Sequence, residues 1–329
     1  MAFTEAQKAI RASGIGASEI GAIVGVNPYE SALGVWLKKT GRCPDEPDNE
    51  QMAAGRYLEP VVLQMFADRT GHKIITPQNY WPSSENGTLV HPDAPWVFAT
   101  PDGVGVDPTG EGNEKPTCVV EAKATGAYNS GKWRDPSDAP PYYLLQNLYQ
   151  MEVSGVHCGY LVGLIGGQDL KVRPVPWDEE KAAWLVRAAT AFWFDFVVPD
   201  IQPPVDGSDR WRAWHAEKCS SELGAPILPT EEIERLVEDI LDLRASKDEA
   251  DIVLSLKENQ LQHLIGSASE CKGPGWRCYW QNGSKTTAWK EVALELCKGK
   301  EKEWVKELLE KHTSKGNQRK FMLAKTKER

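Results

Sequence analysis

The chain has 329 residues, 41% of them hydrophobic and 26% charged, which is enough to bury a core and excludes a wholly disordered, collagen-like or purely coiled-coil chain. No apolar run reaches the length of a membrane span, and the N-terminal MAFTEAQKAIRASG lacks the apolar stretch of a signal peptide, so a cytoplasmic protein is expected. The net charge of −9, taken alone, argues against a partner as acidic as DNA. Seven cysteines, at 43, 118, 158, 219, 271, 278 and 297, form no C-x-x-C pair, so neither a zinc site nor a disulfide framework is indicated and buried thiols are expected.

In chain order, Ala17–Gly25 and Ala32–Thr40 read as short helices closed by Gly25 and Gly41, with Asn27-Pro28 as the turn between them. After an acidic, Pro-containing loop at Pro44–Glu50, residues Gln51–Thr70 carry apolar positions at helical spacing and stop at Gly71. The period then changes. Lys73–Thr76, Leu89–His91, Trp96–Thr100, Gly103–Val106 and Cys118–Ala122 read as short strands separated by Pro, Gly and Asn or Asp turns. Tyr142–Val153 is helical again. The near-continuous apolar run Cys158–Ile165 has the form of a buried central strand, and Asp169–Pro174 pairs with it as a hairpin.

Asp178–Val198 reads as one aromatic-rich helix, followed by a Pro-rich irregular connection to Pro229 and a long helix over Glu231–Leu264. Residues 231–260 hold ten Asp and Glu against four Lys and Arg, net −6, whereas residues 284–329 hold thirteen Lys and Arg against seven acids, net +6. The global charge therefore hides a basic tail. The division expected is residues 1–228 as the principal domain and residues 229–329 as an extension with a long acidic helix, a small hairpin and the tail. The fold class expected is α/β (α+β), a central mixed sheet flanked by helices.

Three acids and a lysine carry the densest chemistry: Glu59 in GRYLEP, Asp102 in ATPDG, and Glu121 with Lys123 in VVEAK. Period-two alternation places Glu121 and Lys123 on one face of a strand and Val120 and Ala122 on the other. Asp102 lies at a Pro-Asp-Gly turn nineteen positions before Glu121, a spacing that suits a hairpin joining the two carboxylates. Two hard oxygen anions plus the backbone carbonyl of Ala122 make an incomplete shell for Mg²⁺ or Mn²⁺, with Glu59 completing a second metal position. Phosphodiester hydrolysis is the chemistry this set would serve, with Lys123 positioning water or countering charge on the phosphate. The alternative for either motif by itself is a solvated Glu–Lys pair and an ordinary turn. The apolar residues preceding Glu121 favour an acid at the inner end of a buried strand, where it needs a cation.

In this order, with Gln146 and Tyr149 on the following helix, the pattern resembles the PD-(D/E)xK nuclease superfamily. It is most similar to the YqaJ-like viral recombinase family, which includes the phage lambda-type exonucleases. RASGIGASEIGAIVGVNPY, GRYLEPVVLQMF, FATPDGVG, VVEAK and YYLLQNLYQMEVSG carry the resemblance across residues 11–165. It implies a restriction-endonuclease-like core with a C-terminal helical and β-hairpin extension. It also implies Mg²⁺-dependent 5′→3′ digestion of linear double-stranded DNA, a trimeric ring, a single-strand annealing protein as partner, and a phage or prophage origin.

Carried over residue by residue, Asp102 and Glu121 match the metal ligands, Lys123 the catalytic lysine, Glu59 the helix acid and Gln146 the glutamine of the next helix. Relatives often carry a second glutamine where this chain has Leu148, which leaves Gln150 as a second candidate. Arg11 and Ser18 match the pair that holds a terminal 5′-phosphate, with Thr100 as a third contributor. Ser18 stands at the start of a helix, where an anion is favoured, and an N-cap role fits the same position. Met52 occupies the place of an apolar wedge that parts the last base pair; a plain core methionine is the alternative. Trp276, Trp280 and Trp289, among Lys and Arg, suit either strand stacking or a packed hairpin. Other readings left open are a superfamily endonuclease or Cas4-like DNA end processor, and a non-catalytic DNA-end-binding recombination scaffold.

Overall fold

The computed structural model describes residues 5–43, 49–81, 84, 87–106, 115–134, 139–218, 227–274, 276–280, 303–304 and 306–307. The chain forms two compact units, Met1–His215 and Ala216–Arg329. In the first, α1 (Glu5–Ala12), β1 (Ile15–Gly16), α2 (Ala17–Ile23) and α3 (Ala32–Lys39) precede the long α4 (Glu50–Thr70). Next come β2 (Lys73–Ile75), the single turn α5 (Pro77–Tyr80), β3 (Leu89–His91), β4 (Ala94–Ala99), β5 (Gly103–Val106) and β6 (Pro116–Thr125). A 3₁₀ segment, Ala127–Trp133, leads on to α6 (Pro141–Ser154), β7 (Gly159–Ile165), β8 (Asp169–Val175) and α7 (Glu179–Phe192), and α8 (Asp209–Lys218) runs across the division at 215/216.

The central sheet is mixed, with order β2-β5-β6-β7-β8, antiparallel throughout except for the parallel β6–β7 pair that α6 connects. Helices cover both faces. Alternation along β6 sends Cys118, Val120 and Ala122 toward Val62 and Phe66 of α4, while Val119 joins the larger core of α6, α2 and α7. The mixed sheet between helices is the architecture expected of a restriction-endonuclease-like core.

A second sheet, β1-β4-β3, departs from the sequence reading, because the two-residue β1 is too short to leave a periodic pattern. It pairs in parallel with Val97 and Phe98 of β4. The approach is close: a Cβ on Gly14 would lie 2.2 Å from the Trp96 carbonyl oxygen. Pro101 separates β4 from β5, and the Asp102 N–H donates to the Val120 carbonyl at 3.1 Å, where the β5–β6 pairing begins.

Other expectations are corrected in detail. The helix expected over Asp178–Val198 gives way at Trp193 to a π-helical turn, Trp193–Val197, in which Phe194 packs edge-on against Trp96 and the Phe196 carbonyl accepts from the Trp36 indole. α8 lies inside the stretch expected to be irregular. The thiols are not uniformly buried: Cys118 is buried, but Cys158 and Cys271 are exposed and Cys43 and Cys278 are intermediate, while Cys219 and Cys297 lie outside the described residues.

In the second unit, α9 (Glu231–Ile265) is capped by the Thr230 side chain. It precedes a hairpin of β9 (Glu270–Gly273) and β10 (Trp276–Tyr279). Trp276 and Trp280 are exposed, and the Trp280 indole donates to the Gly266 carbonyl at 2.9 Å. Trp289 and nearly all of the basic tail lie outside the described residues. Among the described residues no helix is long and apolar enough to cross a membrane.

Phe66 is fully buried, and its ring meets Tyr160 at 5.2 Å and His72 at 5.7 Å, which joins α4 to the sheet. Phe66→Ala is expected to cost about 3–5 kcal/mol in a denaturant melt. A loss within the ordinary range of a surface substitution would show that α4 is not held by this contact.

Candidate active site

The site is organised around Glu121, which is 1% exposed midway along β6. A buried carboxylate must recover its lost hydration through donors or a cation. Glu121 has three donors: Lys123 and Gln146 Nε2 (2.6 Å) reach Oε1, and Gln150 Nε2 (2.6 Å) reaches Oε2. Gln146 and Gln150 lie one helical turn apart on α6 and therefore share its sheet-facing side. Both candidate glutamines act on the same carboxylate, and Leu148 points into the core. Gln150 also lies 3.5 Å from the Thr100 carbonyl and accepts from Asn147 Nδ2 at 3.3 Å.

Asp102 meets Glu121 from the turn immediately before β5, the strand paired with β6. Its Oδ2 accepts the Ala122 N–H at 2.8 Å, so the observed contact of Ala122 with this site is made by its amide. Burial, then the charge of Glu121, pushes the Asp102 carboxyl well above its ordinary value, while Lys123 and the Ala122 amide pull the other way. Glu59, on α4, is raised by burial and by Glu121. Burial works against the Lys123 ammonium, but Glu121 and Asp102 overcome it and hold its pKa above the usual lysine range. The Lys123 Nζ also lies 4.9 Å over the ring of Tyr143, a neighbour that spacing from the E-x-K motif could not reveal.

Among the described residues no group of three or more His, Cys, Asp or Glu side chains is arranged to hold a metal ion. The hard oxygens of Asp102 and Glu121 nevertheless fit a divalent cation. Asp102 is held well above its ordinary value first by burial and then by the charge of Glu121, and a bound cation would oppose both. A cleft of about 460 Å³ opens onto Asp102, walled by Leu63, Gln64, His72, Lys73 and Ile74. A larger, mostly apolar cleft of about 700 Å³, bordered by Leu144, Val175 and Trp184, contains none of these residues.

Arg11 and Ser18 are brought together as expected, with Nη2 3.4 Å from Oγ. Two neighbours escaped the sequence reading. Glu19 accepts the Gly16 N–H at 2.8 Å, pairs with Lys39 at 2.8 Å and lies 3.8 Å from Arg11. Lys39 also donates to the Arg11 carbonyl. The Gly16–Glu19 capping pair makes Gly16 the N-cap, which overturns the N-cap alternative for Ser18 and puts the chain's own carboxylate at this helix end. The adjacency of Ser18 and Glu19 at a helix start was the signal available for Glu19. Lys39, twenty residues away on α3, left none.

Thr100 shares a 3.0 Å hydroxyl contact with Thr88 and lies beside Gln150, contacts that tie it to the Glu121 side of the site. Met52 stands on the first turn of α4 with 43% exposure, which corrects the core-methionine alternative.

Because the folded chain keeps the Asp102 proton at a pH where the unfolded chain has released it, this residue's contribution to stability is complete below about pH 3.8 and is lost as pH rises through the elevated folded value. In EDTA, Asp102→Asn is expected to melt at a higher temperature than the parent at pH 8, with the gap closing toward pH 4. An equal gap at both values would exclude a strained carboxylate here.

Residues 8–157 match the model of the YqaJ-like viral recombinase domain. Over 286 residues the chain is 27% identical to the uncharacterized protein YqaJ of Bacillus subtilis (strain 168), covering 86% of this chain and 82% of that protein. Among solved structures, it is similar to the alkaline exonuclease LHK-Exo from Laribacter hongkongensis, at 18% identity and a TM-score of 0.47, covering 65% of this chain and 99% of that one. It is also similar to a phage-related exonuclease from Haemophilus somnus 129PT, at 11% identity and a TM-score of 0.40, covering 55% and 94% respectively. The segment that holds Arg11, Ser18, Asp102, Glu121, Lys123, Gln146 and Gln150 thus falls within the residues that match the YqaJ-like viral recombinase domain.

Proposed function

We propose that the protein is a Mg²⁺-dependent 5′→3′ exonuclease that digests linear double-stranded DNA and leaves 3′ single-stranded overhangs for recombination by strand annealing. The observation that carries this reading is the cluster of Asp102, Glu121 and Lys123, with a cleft opening onto Asp102 and an Arg–Ser pair in the same unit.

Asp102, Glu121 and the Ala122 carbonyl would hold Mg²⁺, with Mn²⁺ able to substitute and Glu59 serving a second position. The chemistry such ions supply is activation of water near neutral pH and neutralisation of charge on the phosphate. Gln146 and Gln150 orient Glu121 through amide–carboxylate bonds of about 1.5–3 kcal/mol each. Lys123 keeps its proton throughout and offers positive charge to the oxygens of the cleaved phosphate.

Arg11 and Ser18 receive the terminal 5′-phosphate, with Thr100 as a further hydroxyl. Glu19 and Lys39 hold Arg11 in place before a DNA end arrives. Met52, exposed at the start of α4, is placed to act as the wedge between the last paired bases. A trimeric ring, an annealing protein as partner and a cytoplasmic setting in the bacterial host complete the reading.

Linear duplexes with 5′-phosphate or 5′-hydroxyl ends, and covalently closed circles, test it in Mg²⁺ and in EDTA. Linear DNA is expected to be degraded only with the metal, and Lys123→Ala is expected to slow degradation by about 10²–10³-fold. Cutting of closed circles would replace the exonuclease with an endonuclease, and absence of metal-dependent cleavage would leave an end-binding scaffold. Arg11→Ala is expected to erase the preference for 5′-phosphorylated ends while sparing 5′-hydroxyl substrates. An equal loss on both would refute its role.

A further inference from the structure

We infer that α9 is a self-association element that acts beyond the contacts within a ring, the helices of two copies of this chain from different rings pairing antiparallel along one apolar seam. The helix runs 35 residues, about 52 Å at the standard rise, and none of its residues is buried. Its apolar side chains lie in the open, with Leu243 71% and Leu264 82% exposed. An amphipathic helix draws most of its stability from packing its apolar face, so a seam of this length calls for an occupant.

The sequence gives that occupant a geometry. From Ile233 to Leu264 the positions 233, 236, 240, 243, 247, 250, 254, 257, 261 and 264 follow alternating steps of three and four, and all but Lys247 and Lys257 are apolar. This is the repeat of a two-helix seam sustained for more than four heptads. The spacing reads the same in both directions. An antiparallel copy therefore sets Ile233 against Leu264, Leu236 against Leu261 and Leu243 against Leu254, and each Lys meets Ile240 or Ala250 instead of another lysine.

Charge selects this direction. Residues 231–242 hold six acids and one Arg, net −5, whereas residues 243–265 hold four acids and three Lys or Arg, net −1. Parallel pairing would align the two acid-rich halves and stack Lys247 on Lys247 and Lys257 on Lys257. Antiparallel pairing keeps the acid-rich halves apart and places Arg244 of each copy beside Asp251 of the other, at flanking positions where opposite charges favour pairing.

Sedimentation equilibrium of the full chain tests the pairing. Leu243→Asp with Leu254→Asp is expected to weaken self-association at least tenfold, whereas Leu256→Asp, off the seam, leaves it unchanged. Arg244→Asp is expected to weaken association, and adding Asp251→Arg to restore it, because the swap repairs the antiparallel contact and not a parallel one. All the substituted positions are exposed, so the helical signal in circular dichroism should survive in each variant. Identical masses for the parent and the seam variant at every concentration would overturn self-pairing and leave the seam to residues 281–329 or to another protein. Failure of Asp251→Arg to rescue Arg244→Asp would overturn the antiparallel arrangement.

Discussion

Burying the carboxylate of Glu121 inside the sheet-and-helix core is the constraint to which the rest of the first unit answers. An ion at 1% exposure has lost its water and must be given donors in fixed places. Gln146 and Gln150 supply them, and in doing so set the rotation of α6 about its axis. With that side turned to the sheet, Tyr149 points elsewhere and donates its buried hydroxyl to the Ile15 carbonyl at 3.2 Å. β1 is thereby tied to the helix that holds the acid. Arg11 and Ser18 flank β1 in sequence, so the N-terminal cluster and the acidic cluster are tied to one helix.

The two clusters carry opposite imbalances. Among the described residues Lys123 is the cation set against Asp102, Glu121 and Glu59, and burial together with the charge of Glu121 raises both Asp102 and Glu59. Around Glu19 the balance is reversed, with Arg11 and Lys39 set against one carboxylate. The first place is rich in acids and the second in bases, and the proposed divalent cation and terminal phosphate rest on that difference. The net charge of −9 therefore says little about nucleic acid, since what matters is the sign at each cluster.

Much of the fold was legible because its elements have strong periods and clear stops. Gly71 takes a left-handed conformation at the end of α4 with φ of 76°, and Gly155 does the same after α6 with φ of 67°. The strands around Asp102 and Glu121 were legible through their turns. β1 was not, because two residues carry no period, and its partner β4 lies some eighty residues away. The π-helical turn at Trp193 follows from contacts with Trp36 and Trp96, which local propensity does not register. The exposure of Met52 and Cys158 likewise depends on which neighbours arrive.

By itself the sequence determined the chemistry available: two carboxylates and a lysine on adjoining strands, an Arg and a Ser at the N-terminus, and the segregation of acid from base along the chain. These follow from residue type and from the two-residue period of a strand, both of which are local. Only the tertiary structure decided that both glutamines of α6 hold one carboxylate, that Glu19 and Lys39 share the Arg11 cluster, and that Ala122 meets Asp102 through its amide. Those facts depend on how helices and strands distant in sequence pack, and packing is settled by the whole core at once.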